Sequence, residues 1–279
     1  HSDAVSVVRF TDVLDAAWLA ALRAGADVPP LRPRVPLFAG VARIGSVEPD
    51  FLSKISLQPS SDMRGQLSKV ERLDSVSWHL DGDVTLGLNA VAAAMQQVGL
   101  GGAWRNEQLA VHNEQGHRVG TIERAAVRPL GITTAAVHMV GFAPDGRVWL
   151  QQRAMSKAND PGMWDTLMGG MVSAADTLQT ALARETWEEA GLRLDALEAI
   201  SHGGRITTHR PSTEGRGAGY VVEHIDWYHC VVPVDMEPVN QDGEVAQFGL
   251  WEPREVLARM PQEHFTTEAA LILAAALGY

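Results

Sequence analysis

The second half of the chain alternates between strand-like apolar runs and helix-like stretches. Residues 133–142 and 147–152 are two strand-like runs, and the segment 143–146, Ala-Pro-Asp-Gly, is a typical hairpin turn between them. Residues 220–232 are rich in β-branched and aromatic side chains and predict a long strand that ends at Pro233. Further predicted elements are strands at 164–168 and 197–201, a helix that ends before Gly191, and helices at 252–260 and 266–277. This order predicts an α/β unit.

The first half of the chain has a different pattern. Residues 12–24 predict a helix capped by Thr11 or Asp12, and residues 86–98 predict a second helix that ends at a glycine cluster. The remaining elements are a proline-rich break at 29–36, a strand at 39–47, and a hairpin of residues 108–112 with 118–122. We therefore predict a small α+β domain of unassigned function over residues 1–125, followed by the α/β unit over residues 126–279.

The composition of the chain argues against some classes of binding partner. The chain has 279 residues, of which 46% are hydrophobic, so it is long enough to bury two modest cores. Its formal net charge of -11 argues against a nucleic-acid or membrane partner, because either would require a basic patch. We expect no membrane-spanning segment and no secretion signal, which makes the cytoplasm the expected compartment. A small anionic substrate would have to be received through metal ions and local arginines.

Three glutamates lie on the face of a predicted helix where apolar side chains are expected. At about 100° per residue, Glu185, Glu188 and Glu189 continue the apolar stripe that Leu178 and Leu182 begin. A charge run of this kind is usually the solvated face of a surface helix. Its place on the apolar stripe indicates a binding site instead.

The predicted ends of this helix place the three glutamates at an electrostatically unfavourable position. Ser173 and Asp176 form a candidate capping pair at its start, and Gly191 is the expected stop. The three glutamates therefore lie in the last two turns, near the negative end of the helix dipole, so a positive charge has to compensate for them. A hard divalent cation bound by oxygens is the simplest candidate, and Arg184 is another.

The segment 170–192 resembles the signature of the Nudix hydrolases: Gly, five residues, Glu, seven residues, Arg-Glu-apolar-x-Glu-Glu-x-Gly-apolar. The matching residues are Gly170, Arg184, Glu185, Glu188, Glu189, Gly191 and Leu192. Asp176 stands where the signature has its first glutamate, and Thr186 replaces the apolar residue after the central pair. The resemblance implies the Nudix fold, an α/β/α sandwich in which a mixed sheet lies between helices.

Nudix hydrolases cleave a diphosphate linked to another group, using Mg²⁺ or Mn²⁺ and an attacking water. The resemblance implies that Glu185 and Glu189 bind the metal directly, and that Glu188 binds a second ion or orients the water. The carbonyl group of Gly169 or Gly170 would supply a backbone ligand. In such an enzyme the arginine at position 184 holds the glutamates in place.

Further residues are candidates for the same site. Glu244 has the spacing of an additional Nudix acid and is a candidate metal ligand or general base, while a simple turn acid after residues 242–243 is an equally good interpretation. Arg153 and Lys157 flank the loop that faces the glutamate helix in this fold, so they are candidates for binding phosphate oxygens. Arg205 is a third candidate, near a glycine-rich segment at 213–219 that is either a lid or a plain loop.

A second layer of similarity covers more of the chain. It rests on short motifs at residues 104–107, 122–126, 131–133, 137–141 and 157–165. These motifs look like the Nudix subgroup that includes the N-terminal half of fungal thiamine pyrophosphokinase, in which a domain of unassigned function precedes the hydrolase. Members of that subgroup are associated with hydrolysis of oxidised or damaged thiamine diphosphate to the monophosphate.

The leading hypothesis is a metal-dependent pyrophosphohydrolase that acts on a small-molecule diphosphate. ADP-ribose, NADH, coenzyme A and oxidised nucleotides are the alternatives to thiamine diphosphate derivatives. An enzyme similar to isopentenyl-diphosphate isomerase is a second class, but it would need a catalytic cysteine, and the single cysteine, Cys230, lies within a strand-like apolar run. A Nudix-like binding module without activity is a third class. A homodimer is left open.

Overall fold

The computed structural model describes residues 14–57 and 66–279. The first half contains the helices α1 (Ala16–Gly25) and α2 (Val84–Gln97) and the strands β1 (Val35–Ala39), β2 (Ala42–Val47), β3 (Gln66–Glu71), β4 (Val76–Asp81), β5 (Gln108–His112) and β6 (Arg118–Glu123). The first four strands form one sheet in the order β2-β1-β4-β3, with β1 parallel to β4, while β5 and β6 form a separate hairpin. Side chains of both sheets and of α2 share one hydrophobic core.

The second half is built on a seven-stranded mixed sheet. Its strands are β7 (Thr134–Phe142), β8 (Val148–Arg153), β9 (Trp164–Asp165), β10 (Met168–Met171), β11 (Glu198–Ser212), β12 (Gly219–Val231) and β13 (Val245–Trp251), and its helices are α3 (Leu178–Ala190), α4 (Pro253–Arg259) and α5 (Thr267–Ala276). The strand order is β11-β12-β7-β8-β13, with β10 added to β7 and β9 added to β8. Strands β7 and β12 are parallel.

Helices cover both faces of this sheet because successive side chains of a strand point to opposite sides. On β7, Val137 and Met139 face α3, whereas Ala136 and Val140 face the core that contains α4 and α5. The predicted α/β/α sandwich with a mixed sheet, preceded by α+β structure, is confirmed. Within residues 14–57 and 66–279, no helix has the length and apolar character needed to cross a bilayer.

Several predicted strands have other boundaries in the structure. The strand expected at 39–47 is a hairpin, because Gly40 adopts a φ of 59° and reverses the chain between β1 and β2. The strand expected at 197–201 continues to Ser212, since β12 pairs with it along its length. The strand expected at 164–168 is divided into β9 and β10. Strands β3 and β4 were not predicted at all, because β3 has no fully buried residue and the chain pattern there is mostly polar.

Helix α1 contacts the second half of the chain. Its N-cap is Asp15, whose carboxylate accepts a hydrogen bond from the Ala17 N–H at 2.9 Å, while the predicted caps at positions 11 and 12 lie outside the described residues. Leu19 of α1 belongs to the same core as α5, and Asp27 forms a parallel bridge with His209 of β11. The domain boundary between residues 125 and 126 stays a prediction, and α1 makes contacts across it.

Arg34 ties the two halves together. Its guanidinium donates to the carbonyl oxygens of Ser46 at 2.7 Å, Pro129 at 2.9 Å and Ala218, and its Nε donates to the Ser46 hydroxyl at 3.0 Å. Close by, Gly131 has a φ of 56°, and a Cβ atom there would lie 2.7 Å from the Ser46 carbonyl oxygen. Only glycine fits this approach, so the first sheet and the start of β7 are in direct backbone contact.

Replacing Arg34 by alanine should lower the free energy of unfolding by about 2 to 4 kcal/mol, because three carbonyl groups lose a shared charged donor. Arg34→Lys should recover little of the loss, since an ammonium group lacks the planar fork. Urea unfolding followed by tryptophan fluorescence measures both changes. The control is Arg72→Ala, at an exposed arginine in the turn between β3 and β4. Equal stability of R34A and R72A would show that Arg34 does not join the two halves.

Candidate active site

The N-cap of the glutamate helix α3 lies four residues after Ser173, the first member of the predicted capping pair. Thr177 is the N-cap, and its hydroxyl accepts a hydrogen bond from the Thr180 N–H at 3.1 Å while the Thr180 hydroxyl accepts one from the Thr177 N–H at 2.9 Å. The prediction that Ser173 and Asp176 start the helix is therefore wrong, because a reciprocal threonine box satisfies the first turn. Gly191 ends the helix with a φ of 63°, as predicted.

Glu189 is buried in the interface between α3 and the sheet. The residue is 4% exposed, and its Oε1 accepts a hydrogen bond of 2.8 Å from the Gln151 side-chain amide on β8. Its Oε2 is buried and has no hydrogen-bond partner among the described residues. Burial, followed by the negative charge of Glu185, raises the pKa of Glu189 well above its ordinary value. One carboxylate oxygen is thus available for a positive partner.

Glu185 faces strand β10 one turn earlier on α3. A Cβ atom at Gly170 would lie 2.5 Å from the Glu185 carboxyl carbon, so the carboxyl group occupies the space that the missing side chain leaves. Burial also raises the pKa of Glu185, and the negative charge of Glu185 contributes to the raised pKa of Glu189. The structure therefore brings the two carboxyl groups together against the backbone of β10.

Arg184 and Asp176 hold this pair from the solvent side. Arg184 Nη1 lies 2.6 Å from Glu185 Oε1 and 3.7 Å from Glu188 Oε2, while Nη2 lies 2.5 Å from Asp176 Oδ2. Burial acts to raise the pKa of Asp176, but hydrogen bonds from Arg184 and Ser173 outweigh it and lower that pKa. Asp176 thus stays ionised and anchors the arginine, a contact that the sequence did not predict.

The arrangement suits a hard divalent cation only in part. Within the described ranges, no three His, Cys, Asp or Glu side chains are already grouped as metal ligands. Glu188 is the outlying member, since its side chain is 43% exposed and contacts Arg184. The buried pair still offers carboxylate oxygens, one of them without a partner, next to a glycine backbone that leaves room for a close approach. Glu185, Glu189 and a carbonyl of β10 therefore fit a cation, with Glu188 on the solvent side.

Two predicted phosphate-binding residues are engaged in other contacts. Arg153 Nη2 donates to the Asn159 carbonyl at 2.8 Å, so its guanidinium holds the loop after β8. Lys157 Nζ lies 3.0 Å from Glu244 Oε2, and this ion pair joins the same loop to the start of β13. Both positions are near the turn that leads into β9. Phosphate binding by Arg153 and Lys157, and the role of Glu244 as ligand or base, stay predictions.

Arg205 lies within β11 and not near a loop end. Its Nη2 is 3.2 Å from Asp226 Oδ2 on β12, and its side chain is half-exposed. The segment 213–219 is a tight turn, in which the Gly217 N–H donates to the Thr213 carbonyl at 2.9 Å, and Arg216 donates to the Val98 carbonyl at 2.9 Å. These hydrogen bonds hold the turn in this structure and favour the plain loop of the two interpretations.

A cleft of about 760 Å³ opens beside the start of α3, between β2, the β5–β6 hairpin and the large sheet. Its polar lining includes Arg43, Arg118, Asp176, Arg205, His224 and Asp226. Asp176 connects this cleft to Arg184 and hence to the buried carboxylates. The volume lies within the range of small-molecule sites.

Gln151 was not predicted from the sequence as part of this site, although its side chain contacts Glu189. Gln151 lies on β8 and is 2% exposed. It follows the buried residues Val148 and Leu150, and the last two residues of the strand after it are half-buried. A polar residue at a fully buried strand position needs a partner, and here that partner is Glu189. The signal was present as an amide inside the apolar run, but nothing in the sequence indicated which residue it would meet.

Comparison with known proteins gives a family match over the second half of the chain. The family model described as the NUDIX domain matches residues 132–271, about half of the chain. The range contains the whole mixed sheet, together with the glutamate helix α3 and its preceding glycine pair.

Among curated relatives, the uncharacterized Nudix hydrolase PA4841 of Pseudomonas aeruginosa is 37% identical over 87 residues, which cover 31% of this chain and 52% of that protein. An isopentenyl-diphosphate Delta-isomerase of Leifsonia xyli is 29% identical over 160 residues, covering 54% of this chain and 80% of that protein. The crystal structure of DR0079 from Deinococcus radiodurans has a TM-score of 0.49 and 23% identity, covering 61% of this chain and 99% of that one. The chain spans about half the length of the first curated relatives that it matches.

The buried carboxyl pair predicts a pH-dependent stability. Because the pKa of Glu189 is raised in the folded state, its contribution is fully present below the ordinary glutamate pKa and is lost as the pH rises through the folded value. Glu189→Gln keeps an acceptor for Gln151 but has no charge to bury. In EDTA, E189Q should match wild type near pH 4 and exceed it at pH 8 by about 1 to 3 kcal/mol in urea unfolding.

The matched control is Glu188→Gln, which removes the same charge from a side chain that is 43% exposed. E188Q should show no such gain at pH 8, because water already solvates that carboxylate. If E189Q and wild type kept the same stability difference at pH 4 and pH 8, the buried carboxyl group would not be the cause.

Proposed function

Because the chain belongs to the NUDIX domain family, we propose that it is a divalent-metal-dependent hydrolase of a small-molecule diphosphate. The observation that carries this proposal is the buried Glu185–Glu189 pair, which lies against Gly170 and leaves one carboxylate oxygen without a partner. Burying two carboxyl groups together is costly, and no apolar core requires it. A cation that neutralises the pair gives the arrangement a function.

Glu185 and Glu189 would hold a Mg²⁺ or Mn²⁺ ion, with the carbonyl of Gly169 or Gly170 as a further ligand. When bound, such an ion neutralises phosphate oxygens and stabilises the charge that develops on the leaving phosphate. Gln151 fixes the rotamer of Glu189 through its 2.8 Å hydrogen bond, so the free carboxylate oxygen keeps its direction. Oxygen ligands of this kind suit hard cations.

In this proposal, a carboxylate on the solvent side of the site accepts a proton from the attacking water. Water forms a bond to one phosphorus atom, the bridging P–O bond breaks, and the bridging oxygen leaves with the other phosphate. Glu188 is half-exposed beside Arg184 and is our candidate for orienting that water and accepting its proton. Glu244, whose carboxylate is held by Lys157, is the alternative base. Arg184 is a positioning residue, because Asp176 anchors it beside Glu185.

Arg153 and Lys157 are our candidates for binding the non-bridging phosphate oxygens, because Arg153 ends β8 and Lys157 lies on the loop between β8 and β9. Arg205 would contact the organic part of the substrate, since it lines the 760 Å³ cleft. An oxidised or damaged thiamine diphosphate is the substrate we favour, and its hydrolysis would give the monophosphate. The support is the motif similarity to the thiamine pyrophosphokinase subgroup and a cleft lined by acids, arginines and histidines. ADP-ribose, NADH, coenzyme A and oxidised nucleotides are the competing substrates.

Isomerisation of isopentenyl diphosphate is the second candidate function, and similarity to bacterial isomerases supports it. Such an enzyme would need a reactive cysteine near the metal. Cys230 lies on β12 and is buried, and burial raises the pKa of its thiol to about 12. A thiol of this kind does not ionise near neutral pH, so the hydrolase is favoured. A binding module without activity is disfavoured, because it gains nothing from keeping two buried carboxyl groups together.

Incubation with Mg²⁺ and a panel of diphosphates tests the proposal. The panel contains oxidised thiamine diphosphate, ADP-ribose, NADH, coenzyme A, oxidised nucleoside diphosphates and isopentenyl diphosphate. Hydrolysis products are identified by mass, and the isomer of isopentenyl diphosphate, which has the same mass, is identified by proton NMR. We expect release of a monophosphate from at least one compound and no isomerisation. EDTA should abolish the release. A panel without any monophosphate product would count against the hydrolase, and conversion of isopentenyl diphosphate to its isomer would establish the second candidate.

The variant Glu185→Gln should lower kcat for the best substrate at least about 100-fold, because it removes a charged metal ligand but leaves the fold intact. Glu198→Gln is the matched control, since Glu198 is an exposed glutamate at the start of β11. Steady-state kinetics compare the two variants at saturating Mg²⁺. Wild-type turnover in E185Q would show that the metal assignment is wrong even if the protein is a hydrolase.

A further inference from the structure

A second, smaller pocket lies where the first half of the chain meets strand β10. It has a volume of about 60 Å³, and its charged lining consists of Arg105, Arg124, Arg128 and Glu214. We propose that these three arginines, two of them in the first half of the chain and Arg128 just after it, form a phosphate-binding subsite for the diphosphate group of the substrate. This inference rests on the proposed hydrolase function and names a part of the site that the Nudix signature does not contain.

The three arginines of the pocket differ in how far their charge is already paired with carboxylates. Arg124 is paired with Glu107 at 3.0 Å, and Arg128 is paired with Glu223 at 3.0 Å, so each of these guanidinium groups has one carboxylate partner. The exposed Arg105 side chain makes no hydrogen bond and no ion pair with a residue in 14–57 or 66–279, although its backbone N–H contacts Glu123. Arg105 is therefore the group with the most hydrogen-bonding capacity for an anion.

Glu214 shows that the pocket receives an acidic group. Its carboxyl group occupies the space beside Gly102, where a Cβ atom would lie 2.0 Å from Glu214 Oε1. The electrostatic influence of Arg105, Arg124 and Arg128 reaches this carboxyl group, yet no hydrogen bond joins it to any of them within the described ranges. The three arginines thus line a pocket that also contains one carboxyl group, and a phosphate bound there would replace Glu214 as their anionic partner.

The pocket adjoins the carboxyl pair across one edge strand. Met171 lines the pocket and directly follows Gly170, which faces Glu185. Among the described strands, β10 pairs only with β7, so its other edge has no strand partner. Asn159 also lines the pocket, and its carbonyl accepts from Arg153. A diphosphate at the free edge of β10 therefore has carboxylates on one side and guanidinium groups on the other.

Charge explains why such a subsite is needed. The chain has a net charge of -11, and the glutamate helix adds local negative charge where a diphosphate has to bind. Arginine binds phosphate oxygens with two parallel hydrogen bonds, which also fixes the orientation of the phosphate. Because Arg105 and Arg124 precede the predicted domain boundary, the first half of the chain would supply part of the substrate site and would not be merely an attached domain.

The variant Arg105→Ala tests the subsite, because this exposed side chain has no hydrogen-bond or ion-pair partner to lose among the residues that the structure describes. We expect KM for the best diphosphate substrate to rise about tenfold, with kcat changed much less, since one charged hydrogen-bonding group is lost. Arg105→Lys should restore part of the loss because it keeps the charge without the fork. Arg72→Ala, at the exposed β3–β4 turn, removes the same charge elsewhere and should leave KM unchanged.

Binding of inorganic pyrophosphate in EDTA, measured by isothermal titration calorimetry, separates this inference from the proposed function. Wild type and Glu189→Gln should bind it equally, and R105A about tenfold more weakly. That result supports the subsite even if no compound in the panel is hydrolysed. Equal binding by wild type and R105A, or an unchanged KM in R105A, would overturn the subsite while leaving hydrolysis established. Weaker binding of orthophosphate by R105A with an unchanged substrate KM would assign the pocket to free phosphate and overturn its role in substrate binding.

Discussion

The contacts around Glu185 and Glu189 on α3 all bear on one constraint, the free-energy cost of burying carboxyl groups. Glu189 lies in a hydrophobic interface where an uncompensated charge is strongly unfavourable. Within the described part of the chain, its one hydrogen-bond donor is the neutral side-chain amide of Gln151. The glycine at position 170 makes room for Glu185, and Arg184 neutralises part of the pair from outside. The pKa values of both glutamates are nevertheless raised, so these contacts do not fully offset the cost of burying the charges. A bound cation would complete it, so binding of metal and stability of the site are linked.

The two halves of the chain are joined closely enough to share a binding surface. Arg34 binds backbone carbonyls on both sides of the junction, Gly131 touches Ser46, and α1 packs beside α5 in the second half. Both the large cleft and the arginine pocket are lined by residues from either half. In our proposal the carboxylate helix performs the hydrolysis, while residues of the first half help to select and hold the substrate. Such a division would explain why similarity at the signature alone does not identify the substrate.

Electrostatics also separates the competing functions. An acidic protein that acts on a diphosphate has to supply positive charge locally, and the candidates here are a metal ion at the glutamates, Arg153 and Lys157 on one loop, and the arginines of the small pocket. An isomerase would depend on a cysteine, whereas burial keeps the thiol of Cys230 protonated. The chemistry of the available groups thus favours transfer of a phosphoryl group to water over proton transfer to and from carbon.

The sequence alone was sufficient for the elements with local signals. The β7–β8 hairpin, the long strand β12, the helices α4 and α5 and the glycine stop of α3 follow from turn chemistry and periodicity, which act over a few residues. The signature positions identified the glutamates and Arg184 for the same reason, and which of them bind metal stays a prediction. Only the tertiary structure decided that Asp176 anchors Arg184, that Gln151 meets Glu189, and that Arg105, Arg124 and Arg128 converge near β10. These contacts join residues far apart in the chain, and no local preference specifies them, because they arise only when the sheet and both halves pack together.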